Sequence, residues 1–186
     1  SNILNLVNYK EERIETSFVI PCLNEARTIK QVLDECHNAG SFSSSYEIIV
    51  ADNGSNDGSI KIAEENGAKV INVKTKGYGA ALKAGINKAV GRFVVMGDAD
   101  STYDFNDSVE MIKKLRTNKY SLVMGNRFGR IEKNAMPLLH RYLGNPVLTA
   151  LGNLLFEANI SDFYCGISAF LREDILNLNL KSNGME

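Results

Sequence analysis

Phe93-Val94-Val95-Met96-Gly97-Asp98-Ala99-Asp100 runs from a short apolar stretch, through a glycine, into two carboxylates two positions apart. A run of that length bounded by polar residues reads as a buried strand. The same punctuation recurs upstream. Ser17 to Ile20 is a β-type run ended by Pro21, Glu47 to Ala51 is a second, and Ala68 to Val73 a third. Helical patterns lie between them. Ile29, Val32, Leu33 and Cys36 fall on one helical face, closed by Gly40, while Ser59 to Glu65 and the Ala-rich stretch Ala80 to Val90 supply two more. Downstream, a helix from Phe105 to Arg116 is expected behind an Asp104 cap, then a strand at Leu122 to Met124. A strand at Gly166 to Phe170 and a helix at Arg172 to Leu178 come last. Strands and helices alternating in this way predict an α/β fold with a mostly parallel central sheet and helices on both faces.

Composition narrows the class further. The chain has 186 residues, a length suited to one domain, and neither repeats nor a linker divides it. At 44% hydrophobic and 23% charged residues it matches ordinary globular chains, which excludes disorder and collagen-like repetition. Lys plus Arg (21) against Asp plus Glu (22) leaves a net charge of −1, so no broad basic surface points to nucleic acid. Cys22, Cys36 and Cys165 are too few and too scattered for a zinc site or a disulfide framework. Residues 1–6 lack the basic-then-apolar pattern of a secretory leader, and no stretch approaches the roughly 20 apolar residues that span a bilayer.

Ligands of open α/β sheets bind outside the carboxyl ends of the strands, and the polar loops of this chain fall there. Asp98 and Asp100 repel one another unless a cation or donors compensate. A hard divalent ion such as Mg²⁺ is held by one or two carboxylates plus substrate phosphate oxygens, so the pair suits departure of a phosphate-bearing group. Pro21-Cys22-Leu23-Asn24-Glu25 follows the first strand, Asp52-Asn53-Gly54-Ser55-Asn56-Asp57-Gly58-Ser59 the second, and Lys76-Gly77-Tyr78-Gly79 the third. Together these loops suggest a nucleotide cleft. A dinucleotide fingerprint is a poor match for the third loop, because Leu82 stands where its last glycine would fall and the motif does not follow the first strand. Between 135 and 157, Leu139, Leu143, Val147, Leu151 and Leu155 recur every four residues around a kink at Pro146. A cover for the sheet and a lipid-facing surface both fit that period.

With these segments in order, the chain resembles the inverting glycosyltransferases of family 2, which have the GT-A nucleotide-sugar-binding fold. The closer likeness is to the polyprenyl- and dolichol-phosphate hexose (mannose or glucose) synthases. It rests on Met124-Gly125-Asn126-Arg127-Phe128, on Leu139-His140-Arg141-Tyr142-Leu143-Gly144-Asn145-Pro146, and on the segment from Asp162 to Phe170. The resemblance implies a catalytic domain over residues 16–186 behind an N-terminal extension of residues 1–15. It implies Pro21 and Glu25 in a nucleoside pocket, with Asp52 accepting from a ring N–H of uracil or guanine. Lys76 and Gly79 would approach the nucleotide. Asp98 would position sugar and metal, and Asp100 would ligate Mg²⁺ or Mn²⁺ more directly. Arg127 and Arg141 would clasp the acceptor phosphate through charge-assisted bonds, and Asp162 would stand on the acceptor side.

The reaction so implied transfers a hexose from a UDP- or GDP-linked sugar to a polyprenyl-phosphate lipid. The acceptor phosphate is already anionic, so no catalytic histidine is needed, and His37 and His140 read as surface residues. Two alternatives stay open: a family 2 transferase acting on a saccharide hydroxyl in cell-surface polysaccharide synthesis, with Asp162 as the first candidate base, and a degenerate domain that binds nucleotide sugar without turnover. Tyr164 and Ser168 stand where close relatives commonly carry His and Arg. The resemblance also leads us to expect C-terminal truncation, a cytoplasmic location on the inner membrane face, and C-terminal membrane helices in the full-length protein.

Overall fold

The computed structural model describes residues 14–125 and 166–177. The strands are β1 (Thr16–Cys22), β2 (Tyr46–Asp52), β3 (Lys69–Asn72), β4 (Phe93–Met96), β5 (Leu122–Met124) and β6 (Ser168–Leu171). The helices are α1 (Ile29–Gly40), α2 (Ser59–Glu65), α3 (Tyr78–Lys88), α4 (Ser108–Arg116) and α5 (Arg172–Asn177). The sheet order is β3-β2-β1-β4-β6-β5. β1 pairs in parallel with β2 and β4, and β2 with β3, whereas β6 is antiparallel to both β4 and β5. The expected α/β architecture with a mostly parallel sheet is therefore present, and the antiparallel strand is the addition to it.

Period-two alternation sorts the strand side chains onto two cores. Phe18, Ile20, Ile48, Val50, Phe93 and Val95 pack against α1, α2 and α4. Val19, Ile49 and Val94 face the other way, against Ile86 and Leu82 of α3 and Ile175 of α5. Both faces are covered, as read from the sequence, and the helical spacing of Ile29, Val32, Leu33 and Cys36 marks the buried stripe of α1. The order in which strands are added reverses beside β1: the run β1-α1-β2-α2-β3 proceeds to one side, and α3 then crosses the opposite face to begin β4 on the other side. That reversal opens a crevice beyond the carboxyl ends of β1 and β4.

Several boundaries differ from expectation for local reasons. Pro21 lies inside β1 rather than ending it. The Gly97 N–H reaches the Val19 carbonyl at 3.4 Å, so the main-chain groups of Pro21 face the β4 side too. β4 has already ended at Met96, so the missing N–H removes no ladder bond. The helix expected from Phe105 begins as a 3₁₀ turn over Phe105–Asp107. Asp104 caps it at the Asn106 N–H (2.9 Å), and the Ser108 hydroxyl donates back to the Phe105 carbonyl (2.6 Å) at the junction with α4. α3 starts at Tyr78 rather than Ala80, because Gly77 at φ +126° turns the chain straight into the helix. It stops at Lys88, and Ala89 is already extended.

His37, read as a surface residue, is a partly buried bridge. One ring nitrogen lies 3.0 Å from the Tyr46 hydroxyl and the other 2.8 Å from the Asn66 carbonyl, tying α1 to β2 and to the end of α2. Ile14 and Glu15, allotted to the N-terminal extension, join the sheet margin: the Arg92 N–H donates to the Ile14 carbonyl and the Phe93 N–H to the Glu15 carbonyl. No helix among the described residues is long and apolar enough to cross a membrane.

Candidate active site

The crevice is a cavity of about 280 Å³. Pro21, Leu23 and Glu25 line it from the β1 end, Asn53 from the β2 end, Tyr78 from the start of α3, and Asp98 and Asp100 from the β4 end. Four loops expected at the site from sequence thus converge in space. Of the predicted residues, Pro21, Glu25, Asp98 and Asp100 form its wall. Asp52 ends β2, Lys76 lies in the loop before α3 and Gly79 is the second residue of α3, and none of the three lines the cavity. Arg127, Arg141 and Asp162, like Tyr164, His140 and the leucine-spaced stretch from 135 to 157, lie outside the described residues.

The β1 and β2 loops are stitched together by the polar residues of the second motif. Asn24 N–H donates to Ser55 Oγ (2.9 Å), Glu25 N–H to Ser59 Oγ (2.8 Å) and Ala26 N–H to Asp57 Oδ2 (2.9 Å). Asn24, at φ +59°, returns the contact by accepting from the Asn56 N–H at 2.9 Å. Asp57 also accepts from Ser59, and these bonds hold its carboxyl below the usual carboxylate range. The result is a preset concave edge rather than two independent loops.

Asp52 is only 1% exposed and is occupied with its own loop, accepting from the Gly54 N–H (2.9 Å) and the Ser55 N–H (3.2 Å). Asn53, which the sequence reading quoted but did not single out, does more of the assembly. Its Nδ2 donates to the carbonyls of Val73 (3.0 Å) and Thr75 (2.8 Å), and its Oδ1 accepts from the Gly77 N–H (2.8 Å). Its main-chain carbonyl accepts from Lys76 Nζ at 2.5 Å, so Lys76 folds back over the β2 loop. An Asn directly after a strand and before a glycine was the available sign; its partners lie too far along the chain to be read from it.

The acidic loop is asymmetric. Asp98 is half-buried, and its Oδ1 accepts from the Tyr78 hydroxyl at 2.5 Å. Burial pushes its carboxyl above the ordinary range; the Tyr78 bond pulls the other way, and the charge of Asp100 adds to the rise. Tyr78 is driven upward by burial and then by Asp98, so its hydroxyl is a protonated donor at any working pH. Asp100 is exposed and accepts from the Thr102 N–H at 2.9 Å. Gly166, just ahead of β6, backs onto this corner. A Cβ there would sit 2.7 Å from Asp98 Oδ2 and 2.6 Å from the Tyr103 ring, so any side chain at this position must displace one of them. Burial also raises the thiol of Cys22 at the cavity wall, which makes it a poor nucleophile.

Among the described residues no three His, Cys, Asp or Glu side chains cluster as a metal cage. Two carboxylates that raise one another's affinity for positive charge, one of them exposed, fit a hard cation that takes its remaining oxygens from substrate and water.

The mostly parallel sheet with an acidic pair beside β4 is the GT-A architecture that the family resemblance implied, and solved glycosyltransferase structures share it. The chain belongs to glycosyl transferase family 2, whose family profile matches residues 17–178. It is 38% identical over 172 residues to the low-salt glycan biosynthesis hexosyltransferase Agl6 of Haloferax volcanii, covering 91% of this chain and 41% of that one. It is 29% identical over 187 residues to the dolichyl-phosphate beta-glucosyltransferase ALG5C of Trichomonas vaginalis (89% and 54%). Among solved structures it resembles glucosyl-3-phosphoglycerate synthase of Mycobacterium tuberculosis in complex with Mn²⁺, UDP-glucose and phosphoglyceric acid. There the TM-score is 0.68 at 26% identity, over 87% of this chain and 58% of that one. The chain spans about half the length of the curated relatives it matches.

Proposed function

We propose that this chain is the catalytic domain of an inverting hexosyltransferase. It takes a hexose from a UDP- or GDP-linked sugar and passes it to a polyprenyl-phosphate lipid at a membrane surface. The observation that carries this reading is the convergence of the β1, β2 and α3 loops on the Asp98–Asp100 corner. The names of the hexosyltransferase and dolichyl-phosphate glucosyltransferase relatives support the acceptor class, and the Mn²⁺- and UDP-glucose-bound neighbour supports the donor class.

Pro21, Leu23 and Glu25 grip the nucleoside along the stitched edge. Asp52 meets the base from behind that edge with whatever acceptor capacity its loop bonds leave. Lys76 and Gly79 border the diphosphate. Asp100, with Asp98 beside it, would hold Mg²⁺ or Mn²⁺, which when bound supplies positive charge to the diphosphate leaving group. Arg127 and Arg141 neutralise and orient the acceptor phosphate, and Asp162 borders it. Because that phosphate is anionic at neutral pH, its oxygen attacks the anomeric carbon in line without a protein base. The chain's contribution is orientation and charge compensation.

The test is a screen of UDP- and GDP-linked hexoses against a short polyprenyl phosphate with Mn²⁺ or Mg²⁺, using Asp100→Ala as control. One donor is expected to support metal-dependent transfer that Asp100→Ala reduces at least about 100-fold. Transfer undiminished by that substitution would remove Asp100 from the metal site.

A further inference from the structure

We propose that Tyr78 is a positioning residue for this reaction: its hydroxyl brackets the Asp98 carboxylate, holding it in one fixed rotamer beside the exposed Asp100. The inference rests on the transferase reading and adds the group that fixes the geometry of the acidic pair. Its basis is that one oxygen of Asp98 is held by the Tyr78 hydroxyl while Gly166 packs closely behind the other. Oδ1 takes the Tyr78 hydroxyl at 2.5 Å, and Oδ2 lies where a side chain on residue 166 would intrude at 2.7 Å.

Three separate segments therefore meet on one carboxylate: the start of α3, the loop after β4, and the lead into β6. Asp100 is differently placed. It is exposed and, among the described residues, accepts from the main-chain N–H of Thr102. A ligand whose neighbour is bolted down loses less freedom on binding a cation. Groups that orient a metal ligand through a hydrogen bond typically contribute 10–100-fold in metal affinity or activity. The bracket also joins the third loop to the fourth. Tyr78 opens α3 directly after Lys76 and Gly77, and both of these are fastened to Asn53. Asn53 thus sets where Tyr78 stands, and Tyr78 sets where Asp98 stands.

Tyr78→Phe removes the hydroxyl and keeps the ring, and Gly166→Ala pushes on the same carboxylate from the opposite side. Crystal structures of both variants, and calorimetric titration of Mn²⁺ with UDP and with GDP, are the measurements. In Tyr78→Phe the Asp98 carboxylate is expected to leave its present rotamer. Mn²⁺ affinity in the presence of nucleotide should fall about tenfold or more. Metal-free nucleotide binding should stay within about twofold. In turnover, kcat should fall and the Mn²⁺ requirement rise, with KM for polyprenyl phosphate unchanged. Gly166→Ala should lose Mn²⁺ affinity likewise. An unmoved Asp98 in Tyr78→Phe, or Mn²⁺ affinity equal to wild type, would overturn the proposal. Should the wild-type chain itself take up neither nucleotide nor Mn²⁺, the transferase reading fails. The position of Asp98 in the Tyr78→Phe crystal still decides the bracket by itself.

Discussion

Asn53 illustrates how much of this site is carried by a side chain whose role is invisible in one dimension. It is 6% exposed and satisfies the Val73 and Thr75 carbonyls and the Gly77 N–H at once. Asn53→Ala would strand those groups, and each unmet buried partner costs about 1–3 kcal/mol. A loss of roughly 3 kcal/mol in a urea titration is expected, together with weaker nucleotide binding as the third loop drifts. Asn53→Asp keeps one acceptor but removes both donors, and should fall between wild type and alanine in the same titration. At this scale the sequence was legible in kind and not in wiring. Strand-end polar motifs located Pro21, Glu25, Asp98 and Asp100 at the cavity, since strand ends are where an α/β sheet binds ligands. Tyr78 and Gly166 were quoted within their motifs but given no role, because their importance lies in what they touch across the fold.

At the level of elements, periodicity recovered α1 and its buried stripe, β2, β4, β5 and α2, whose apolar positions repeat cleanly. It had no means of detecting that β6 runs antiparallel, because alternation of side chains is the same in either direction. The sheet margin offers a pH test. Glu15 accepts from the Arg116 guanidinium at 2.9 Å and from the Ser44 N–H at 2.7 Å. Burial pushes its carboxyl up, but the Arg116 and Ser44 contacts outweigh that and hold it below its ordinary value. Asp57 is lowered likewise, chiefly by Ser59. A carboxyl whose folded pKa is depressed contributes stability that is present above its unfolded pKa and lost as pH falls through the folded one. The thermal midpoint is therefore expected to be level above about pH 5 and to drop below about pH 4. Glu15→Gln should flatten part of that acid decline and lower the midpoint at pH 7. A decline equally steep in the variant would mean Glu15 is not among its causes.

Among the described residues, burial and loop stitching are concentrated at β1, β2, β4 and the helices flanking them, and the cavity edge is built there. Near β6 the sheet changes character. Met124 and Ser168 are register partners, and the Gly125 N–H donates to the Ile167 carbonyl at 2.9 Å. Gly125 and Ile167, which flank the stretch from 126 to 165, therefore lie side by side at the ends of neighbouring antiparallel strands. Every acceptor-side residue proposed above, Arg127, Arg141 and Asp162, falls within that stretch. On the proposed reading, donor recognition and acceptor recognition would therefore fall in separate parts of the chain. Replacing residues 126–165 with an Asn-Gly turn is expected to leave a folded protein that still binds its nucleotide in calorimetry and transfers nothing. Grafting the corresponding stretch from a relative at the same place would then exchange the lipid served while leaving sugar-nucleotide choice untouched, so that new pairings of donor and acceptor can arise by swapping one cassette.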